Sequence, residues 1–321
     1  MILTNTTVPE LANIIIRAEE RSVPFFMKDI ALSKKLFVEI GFGNGEFPVH
    51  LALSRADAIV VGMEVSLTCV LKAAARAVKA GAGNVYFMRG DARFLLRECF
   101  RDSSVDVVYM NFPCPWPKSR HSKRRVTNPA FADAIASVLK TNAYFELLTD
   151  EEWYADEVID TLGTHPALRT EEHTINPNRP VTTKYERKWL EMGKEIHLVR
   201  IGKTRDFSSA RTLHGGNDKV HIKIDAGKIT LARLRTFLDA QGSNGGAHWV
   251  YKESFANGDG VFIMEVISSD EGFEQKFFIR ISQSERGTVL KLAEPGTPFR
   301  TPAVKQALYC LAEKLRSGES C

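Results

Sequence analysis

The stretch EIGFGNGEF, residues 39–47, combines an acid with three closely spaced glycines directly after an apolar run. Glycine allows the backbone to pass close to a ligand, and Gly41, Gly43 and Gly45 supply three such positions. A dinucleotide-binding loop would instead read G-x-G-x-x-G and would aim a helix N-terminus at a phosphate. Because Glu39 would repel a phosphate, the pattern predicts a cationic ligand.

Two further acids end the next two apolar runs. Glu64 closes AIVVGMEV, where a carboxylate can bind the hydroxyls of a ribose, and Asp91 closes VYFMRGD, where it can accept from an adenine amino group. Each acid by itself could be a solvated strand end. Together with Glu39 they favour S-adenosylmethionine, which carries a positive sulfonium and amino group and no phosphate.

A strongly basic run follows a proline-rich turn in YMNFPCPWPKSRHSKRRVTNP, residues 109–129. Such a run is often only a solvated surface, but this one is predicted at the carboxyl edge of a sheet, where it could contact RNA phosphates. Trp116 could stack on a base or brace the prolines. The predicted phosphate contacts are Lys118, Arg120, His121, Lys123, Arg124 and Arg125.

The elements that must position these residues alternate between apolar, β-branched runs and helical patterns from residue 34 to residue 148, which predicts an α/β domain with a parallel sheet. We predict strands at KKLFVEIG, AIVVGMEV, VYFMRGD, VDVVYMNF and AYFELL. Helices are predicted at SLTCVLKAAARAVKA, ended by Gly81, and at NPAFADAIASVLK, capped by Asn128. A capping box of Thr149 and Glu152 would open EEWYADEVIDTL, and RPVTTKYERKWLEMGKEIHLVRIG would form a hairpin with its turn at 191–194.

A polar, glycine-bearing stretch then separates this region from a second set of alternating segments and a final helix, PAVKQALYCLAEKLR. The predicted organisation is a first domain at 1–205, a linker at 206–219 and a small C-terminal α+β domain of open function at 220–321.

Composition narrows the class of protein. The net charge is +4, so a nucleic-acid surface must come from local clustering. The five cysteines form no CxxC pair, which argues against a disulfide framework or a zinc site and predicts no bound metal. No apolar run reaches the ~20 residues of a membrane span, and the N-terminus lacks signal-peptide features, so we expect a cytoplasmic protein without a membrane partner.

The segment FPCPWPKSRHSKRR resembles the signature F-P-D-P-W-P-K-x-R-H-x-K-R-R of the tRNA (guanine-N7)-methyltransferases. The resemblance covers roughly residues 35–202, through EIGFGNGEF, VVGMEVS, GDA, LLTDEEWYA and TTKYE. It implies a class I methyltransferase (Rossmann-like) fold with helices on both faces of the sheet. It also implies S-adenosylmethionine as donor and a guanine of the tRNA variable loop as target, in a form with a C-terminal extension.

The resemblance also assigns residues. Asp150 and Glu186 match the family's acids and would hold the guanine and offset the charge that develops on its ring, and Thr183 would add a hydroxyl contact. The target base would be flipped out to reach the site. The predicted cofactor site comprises Glu39, Gly41, Gly43, Glu64, Asp91, Ala92 and Asn111.

Cys114 departs from the family, which has aspartate at this position. It could be a substitution without a new role, or a nucleophile like that of the cytosine-C5 methyltransferases, which also attack from the turn after strand four. A third hypothesis is an RNA-binding scaffold that has lost activity, against which the intact acids of the cofactor site argue.

Overall fold

The computed structural model describes residues 11–21, 23–24, 34–117, 125, 127–178, 184–213, 220–294 and 296–317. The chain divides into two compact units. One comprises Met1–Ala18 with Pro24–Ala210, and the other comprises Glu19–Val23 with Arg211–Cys321. The division at 1–205, 206–219 and 220–321 remains a prediction.

The first unit contains an eight-stranded sheet. Its strands are β1 (Ile15–Ile16), β2 (Lys35–Ile40), β3 (Ala58–Glu64), β4 (Val85–Arg89), β5 (Val105–Asn111), β6 (Leu139–Thr149), β7 (Leu168–Ile175) and β8 (His197–Lys203). They lie in the order β1-β4-β3-β2-β5-β6-β8-β7. Strands β1 to β6 pair in parallel, whereas β8 runs antiparallel to both β6 and β7.

Six helices belong to the described part of this unit: α1 (Glu46–Ser54), α2 (Leu67–Ala80), α3 (Ala92–Cys99), α4 (Pro129–Val138), α5 (Glu152–Gly163) and α6 (Lys184–Glu191). Side chains of α1 and α2 form one core cluster with Phe37, Val60 and Val107 of the sheet. The neighbouring residues Val38 and Val61 are fully buried and point the other way. Both faces of the sheet are therefore covered, and the predicted class I methyltransferase architecture is confirmed.

The local signals for α2 and α4 are also confirmed. The Ser66 hydroxyl accepts a hydrogen bond from the Cys69 amide at the start of α2, and Gly81 ends that helix in the left-handed conformation. Asn128 accepts from the Phe131 amide at the start of α4. The prediction that α4 continues to residue 140 was too long, because Leu139 already begins β6.

Two other local predictions were wrong. The N-cap of α5 is Glu151, with no side-chain capping bond, and the Thr149 hydroxyl instead accepts from the Glu151 amide, so there is no Thr149–Glu152 capping box. The predicted hairpin within 179–202 is a helix, α6, followed by β8. Besides β6, β8 pairs with the edge strand β7, which was not predicted because polar residues on both of its faces obscure the alternation of a strand.

The second unit is an antiparallel sheet with helices packed on one face. Its strands are β9 (His221–Ile224), β10 (Gln241–Asn244), β11 (Ala247–Ala256), β12 (Val261–Asp270), β13 (Phe273–Ser284) and β14 (Gly287–Leu292), in the order β10-β11-β12-β13-β14-β9. Helices α7 (Leu231–Arg235) and α8 (Pro302–Ser317) contribute Leu234, Leu308 and Leu311 to the core of this unit. The predicted C-terminal α+β fold is confirmed, whereas α7 and β10 were not predicted.

Candidate active site

The predicted ligand-binding residues meet at one edge of the first sheet. Because β2 to β6 are parallel, their carboxyl ends lie along the same edge. That edge carries the glycine loop after β2, Glu64 at the end of β3, Asp91 after β4, Asn111 at the end of β5 and Asp150 after β6. The parallel direction of the strands thus brings predicted residues from five separate segments to the same edge.

The glycine loop requires glycine for two different reasons. Gly45 begins α1 at φ 73°, and a Cβ there would lie 2.4 Å from the Cβ of Ala73 on α2. Gly41 and Gly43 also have positive φ values, 72° and 55°, but a Cβ on either would meet open space. At these two positions the backbone conformation alone favours glycine, and the absence of a side chain leaves the loop open to a ligand.

Glu39 and Asn111 form a buried polar pair at the centre of this edge. The Asn111 amide Nδ2 donates to Glu39 Oε1 at 2.9 Å. The two residues are only 2% and 9% exposed. The pair joins adjacent strands β2 and β5, and the amide dipole orients the carboxylate without neutralising it.

Glu64 holds the glycine loop in place. One carboxylate oxygen accepts from the Gly43 amide at 3.3 Å, and the other accepts from the amides of Val65 and Ser66 at 2.8 and 3.1 Å. The sequence indicated an acid at a strand end but not these backbone partners. Glu64 therefore shapes the loop as well as presenting negative charge to the site.

Asp91 caps α3 and is paired with an arginine that was not predicted. Its Oδ1 accepts from the Arg93 amide at 2.9 Å, and the Arg93 guanidinium contacts both carboxylate oxygens, with the shortest distance 2.5 Å. The side-chain hydrogen bond that Arg93 donates to Asp91 raises the pKa of Arg93. Ala92 is buried in the first turn of α3. The pair could have been predicted from the sequence, because Arg93 follows the helix-capping acid Asp91 by two residues.

The proline-rich turn after β5 contains two aromatic residues in the left-handed region. Phe112 and Trp116 both have φ 49°, which is unfavourable for bulky side chains and is typical of functional loops. The Phe112 amide donates to the Leu148 carbonyl of β6 at 2.8 Å, which fixes the start of the turn. Cys114 lies at the apex with an exposed, free thiol, and Trp116 is half-buried.

Arg125 ends the basic run and is anchored to α5. Its guanidinium bonds to Glu157 and donates to the Trp116 carbonyl at 3.2 and 3.4 Å. It also lies 4.9 Å from the centre of the Trp153 ring. Glu157, which the sequence did not single out, thereby ties the two ends of the basic loop to the domain. The predicted residues Lys118, Arg120, His121, Lys123 and Arg124 lie outside the described residues, as does Thr183.

Helix α6 brings Glu186 to this region. Glu186 is 3% exposed, and the adjacent Arg187 lies 3.7 Å from Glu46 at the start of α1. After α6, Lys194 pairs with Asp150 and lies 4.2 Å from the centre of the Trp189 ring. The ion pair with Asp150 raises the pKa of Lys194. Contacts at both ends thus join the α6 segment to the glycine-loop side and to the end of β6.

The chemistry of this edge suits a positively charged ligand. Glu39, Glu64 and Asp91 place three carboxylates at three successive strand ends, beside two glycines that open onto free space. A pyrophosphate would meet these acids at close range, so a dinucleotide fits poorly. A nucleoside with a cationic chain fits both the charge of the donor set and the openness of the loop.

The described residues also bear on metal sites and membrane spans. No group of three or more His, Cys, Asp or Glu side chains within them is arranged to hold a metal ion. Among the helices of the described part of the chain, none is long and apolar enough to cross a membrane.

Comparisons with known proteins place this chain among methyltransferases. Residues 33–199 match the family model described as "Putative methyltransferase". A tRNA (guanine-N(7)-)-methyltransferase of Thermotoga maritima is 39% identical over 89% of this chain and 91% of its own length. Enzymes of the same name from Aquifex aeolicus and Thermus thermophilus are 32% and 31% identical, over 87% and 88% of this chain and 94% and 89% of their own lengths.

A solved structure, the antibiotic-resistance methyltransferase Kmr, matches 54% of this chain and 89% of its own at a TM-score of 0.41 and 12% identity, which is too distant to bear on function. The matches to the three named relatives each cover 87–89% of this chain, so they extend beyond the first unit and include most of the C-terminal unit. The chain therefore belongs to the tRNA (guanine-N7)-methyltransferase family.

Proposed function

We propose that this protein methylates N7 of a guanine in the variable loop of tRNA, with S-adenosylmethionine as the donor. The observation that carries the proposal is the single sheet edge on which an acid-lined glycine loop meets the aromatic turn of the basic run. Family membership supports the reaction and the class of RNA. The variable loop is an expectation from the sequence resemblance.

The residues proposed to hold the donor lie in the glycine loop and at the neighbouring strand ends. Glu39, oriented by Asn111, would face the positive end of the ligand, Glu64 would bind the ribose hydroxyls, and Asp91 would accept from the adenine amino group. Gly41, Gly43 and Ala92 would let the backbone approach. When bound, S-adenosylmethionine supplies an electrophilic methyl group. Asp91 can accept a hydrogen bond from adenine only if the Arg93 guanidinium gives up one of its hydrogen bonds to the Asp91 carboxylate.

The residues proposed to hold the guanine lie across the same edge. N7 carries a lone pair and no proton, so the reaction needs no general base, and positioning of the base is the main task. Asp150 and Glu186 would accept from the N1 and N2 donors of the base and offset its positive charge. Asp150 now pairs with Lys194, so binding of guanine would exchange that partner for the base. Thr183 would add a hydroxyl contact.

The basic run would bind the tRNA backbone through Lys118, Arg120, His121, Lys123 and Arg124. We propose a different role for Arg125, because its side chain is only 14% exposed and its guanidinium is bonded to Glu157 and to the Trp116 carbonyl. In this arrangement Arg125 fixes the loop from which the other cations reach the phosphates.

The test is incubation of the protein with an unmodified tRNA transcript and methyl-labelled S-adenosylmethionine, followed by nucleoside analysis and mapping of the labelled position. The expected product is N7-methylguanosine in the variable loop. Label in 5-methylcytidine, or no transfer of label, would contradict the proposal, and N7-methylguanosine elsewhere in the tRNA would contradict only its position.

A further inference from the structure

Within the C-terminal unit, the described helices pack against one face of the sheet and leave its other face without a helix. Side chains on one side of its strands pack against α7 and α8, and these include Ile224, Phe277 and Leu290. Their neighbours along each strand point to the opposite side, because strand side chains alternate. We call that second side the outer face. Its central members are Phe255, Ile263, Phe278, Arg280, Lys291, His221 and Lys223.

A continuous row of side chains crosses the outer face on five strands. Strand register places Phe255 opposite Ile263, Ile263 opposite Arg280, Arg280 opposite Lys291, and Lys291 opposite His221. With strands spaced ~4.8 Å apart, the row is about 19 Å long. It runs from an aromatic ring to three potential cations, and the next row adds Lys223 opposite Val289.

The cations of these two rows are available to a partner. Arg280, Lys291 and Lys223 are exposed, and none has a carboxylate within ion-pairing distance among the residues that the structure describes. The acids that strand register places on the outer face, Glu265 and Glu274, lie in other rows, and Glu253 stands at the bulge of β11, two residues before Phe255. Glu265 faces Phe278 and pairs with Lys276 at 2.8 Å, and Glu274 faces Ser269 at the far end of β12. The positive charge is therefore concentrated at the β13-β14-β9 side.

Apolar side chains are exposed beside these cations. Phe255 is 51% exposed, and Phe278 lies half-buried in the adjacent row. A merely solvated sheet face would carry acids and bases in mixture around small polar residues. Cations interleaved with accessible aromatic rings on an open sheet are instead the composition that binds unpaired nucleotides, by phosphate contacts and by stacking.

We propose that the outer face of the C-terminal sheet is a second RNA-binding surface, which contacts the substrate tRNA away from the methylated guanine. This inference rests on the proposed function, because it takes tRNA as the occupant. Arg280, Lys291 and Lys223 would contact phosphates, and Phe255 would stack on an unpaired base. The face would contribute affinity for tRNA and would take no part in methyl transfer.

The experiment compares two charge-reversal variants of the full chain. R280E/K291E alters the outer face, and K228E/R235E makes the same change of net charge at exposed positions near and on α7. Binding of a fluorescent tRNA transcript is measured by polarisation from 50 to 200 mM salt. We expect R280E/K291E to lose roughly tenfold or more in affinity, and the slope of log K against log salt to fall by about 1.4–1.8. K228E/R235E should bind like the wild type.

Further measurements separate this result from misfolding. R280E/K291E should keep the wild-type midpoint of thermal unfolding and affinity for S-adenosylmethionine, and R280K/K291R should restore tRNA binding. Phe255→Ala should weaken tRNA binding with little change in the salt slope, because stacking releases no counterions. In steady-state methylation the loss should be in KM for tRNA rather than in kcat.

The possible failures are distinguishable. Wild-type affinity and salt slope in R280E/K291E would overturn this inference and leave the proposed function intact, as would an equal loss in K228E/R235E. A wild type that binds tRNA through this face without forming N7-methylguanosine would overturn the proposed function alone. A wild type that does not bind tRNA would overturn both.

Discussion

Asn111 is hydrogen-bonded to Glu39 in a buried position at the carboxyl edge of the first sheet. The neutral amide of Asn111 therefore leaves Glu39 as the acid of this pair. Asn111→Asp would place two carboxylates within hydrogen-bonding distance, and the repulsion would raise the pKa of one of them. Such a group binds a proton in the folded state more tightly than in the unfolded state. The variant should therefore lose stability as the pH rises, by about 3 kcal/mol above neutrality.

Urea unfolding at pH 5 and pH 8 checks this prediction. Asn142→Asp is the matched control, because Asn142 is exposed and has a positive φ that aspartate also tolerates. The control should differ little from the wild type at either pH. Equal stability of Asn111→Asp at both values would show that the Glu39–Asn111 pair is not as buried as its geometry indicates.

Cys114 stands where the sequence resemblance implies an aspartate, and its exposed position at the apex of the turn leaves all three hypotheses testable. If aspartate at this position helps to hold the guanine, Cys114→Asp should raise kcat/KM for tRNA by about tenfold, since a charged hydrogen bond contributes ~1.5 kcal/mol or more. Cys114→Ala should change it little, because a thiol is a weak acceptor.

The other hypotheses give opposite results. A covalent nucleophile would make Cys114→Ala inactive, Cys114→Asp would not rescue it, and RNA containing 5-fluorocytosine would trap the wild-type protein. An inactive scaffold would show no turnover in any of the three proteins. Glu186→Ala should be the more damaging substitution, so a fully active Glu186→Ala beside an inactive Cys114→Ala would reverse our assignment of roles.

At the scale of elements, the basic loop depends on α5 for its position. Arg125 bonds to Glu157, and Arg125 in turn bonds to the Trp116 carbonyl on the other side of the loop. Removal of the acid by Glu157→Ala should release the loop and weaken tRNA binding roughly fivefold to tenfold, from the ~1–1.5 kcal/mol of a net hydrogen bond. A decrease in tRNA affinity would be informative, because loss of a negative charge by itself should strengthen binding of a polyanion.

Asp156→Ala provides the control, because Asp156 is the exposed neighbour of Glu157 on the same helix. It should bind tRNA as well as the wild type or slightly better. If Glu157→Ala also binds better than the wild type, Arg125 acts as a phosphate contact that Glu157 merely competes for, and the anchoring role is wrong.

At the scale of the whole molecule, the C-terminal unit has a core of its own. Its sheet, α7 and α8 bury Tyr251, Phe277, Leu308 and Leu311 completely. A core of that kind is what an independently folding domain requires. We therefore expect residues 206–321, expressed alone, to unfold cooperatively, and residues 1–205 to retain affinity for S-adenosylmethionine.

Two substitutions on α8 test whether the fragment has this fold. Leu308→Asp places a charge at a fully buried position and should prevent cooperative unfolding, whereas Tyr309→Asp alters a residue that is 50% exposed and should be tolerated. Circular dichroism during heating measures both. If the Leu308→Asp and Tyr309→Asp variants of the fragment unfold alike, α8 does not pack on the sheet in the isolated fragment.

Local chemistry determined much of this protein. The alternation of apolar runs and helical patterns predicted the parallel sheet, because strands buried on both faces must be continuously apolar. The same patterns placed Glu39, Glu64, Asp91 and Asn111 at strand ends. Once strand direction is known, the carboxyl edge of the sheet follows, and so does the meeting of these residues.

Contacts between distant segments were decided only by the tertiary structure. The segment of Glu186 has the β-branched and aromatic residues of a strand, yet α6 forms where Trp189 can pack against Leu148 and Leu198. The pairing of Arg93 with Asp91, of Arg125 with Glu157 and of Lys194 with Asp150 likewise depends on which surfaces meet. The sequence determined which side chains could carry charge at the site, and the fold decided which of those charges are already occupied, because pairing depends on distance in space and not on spacing along the chain.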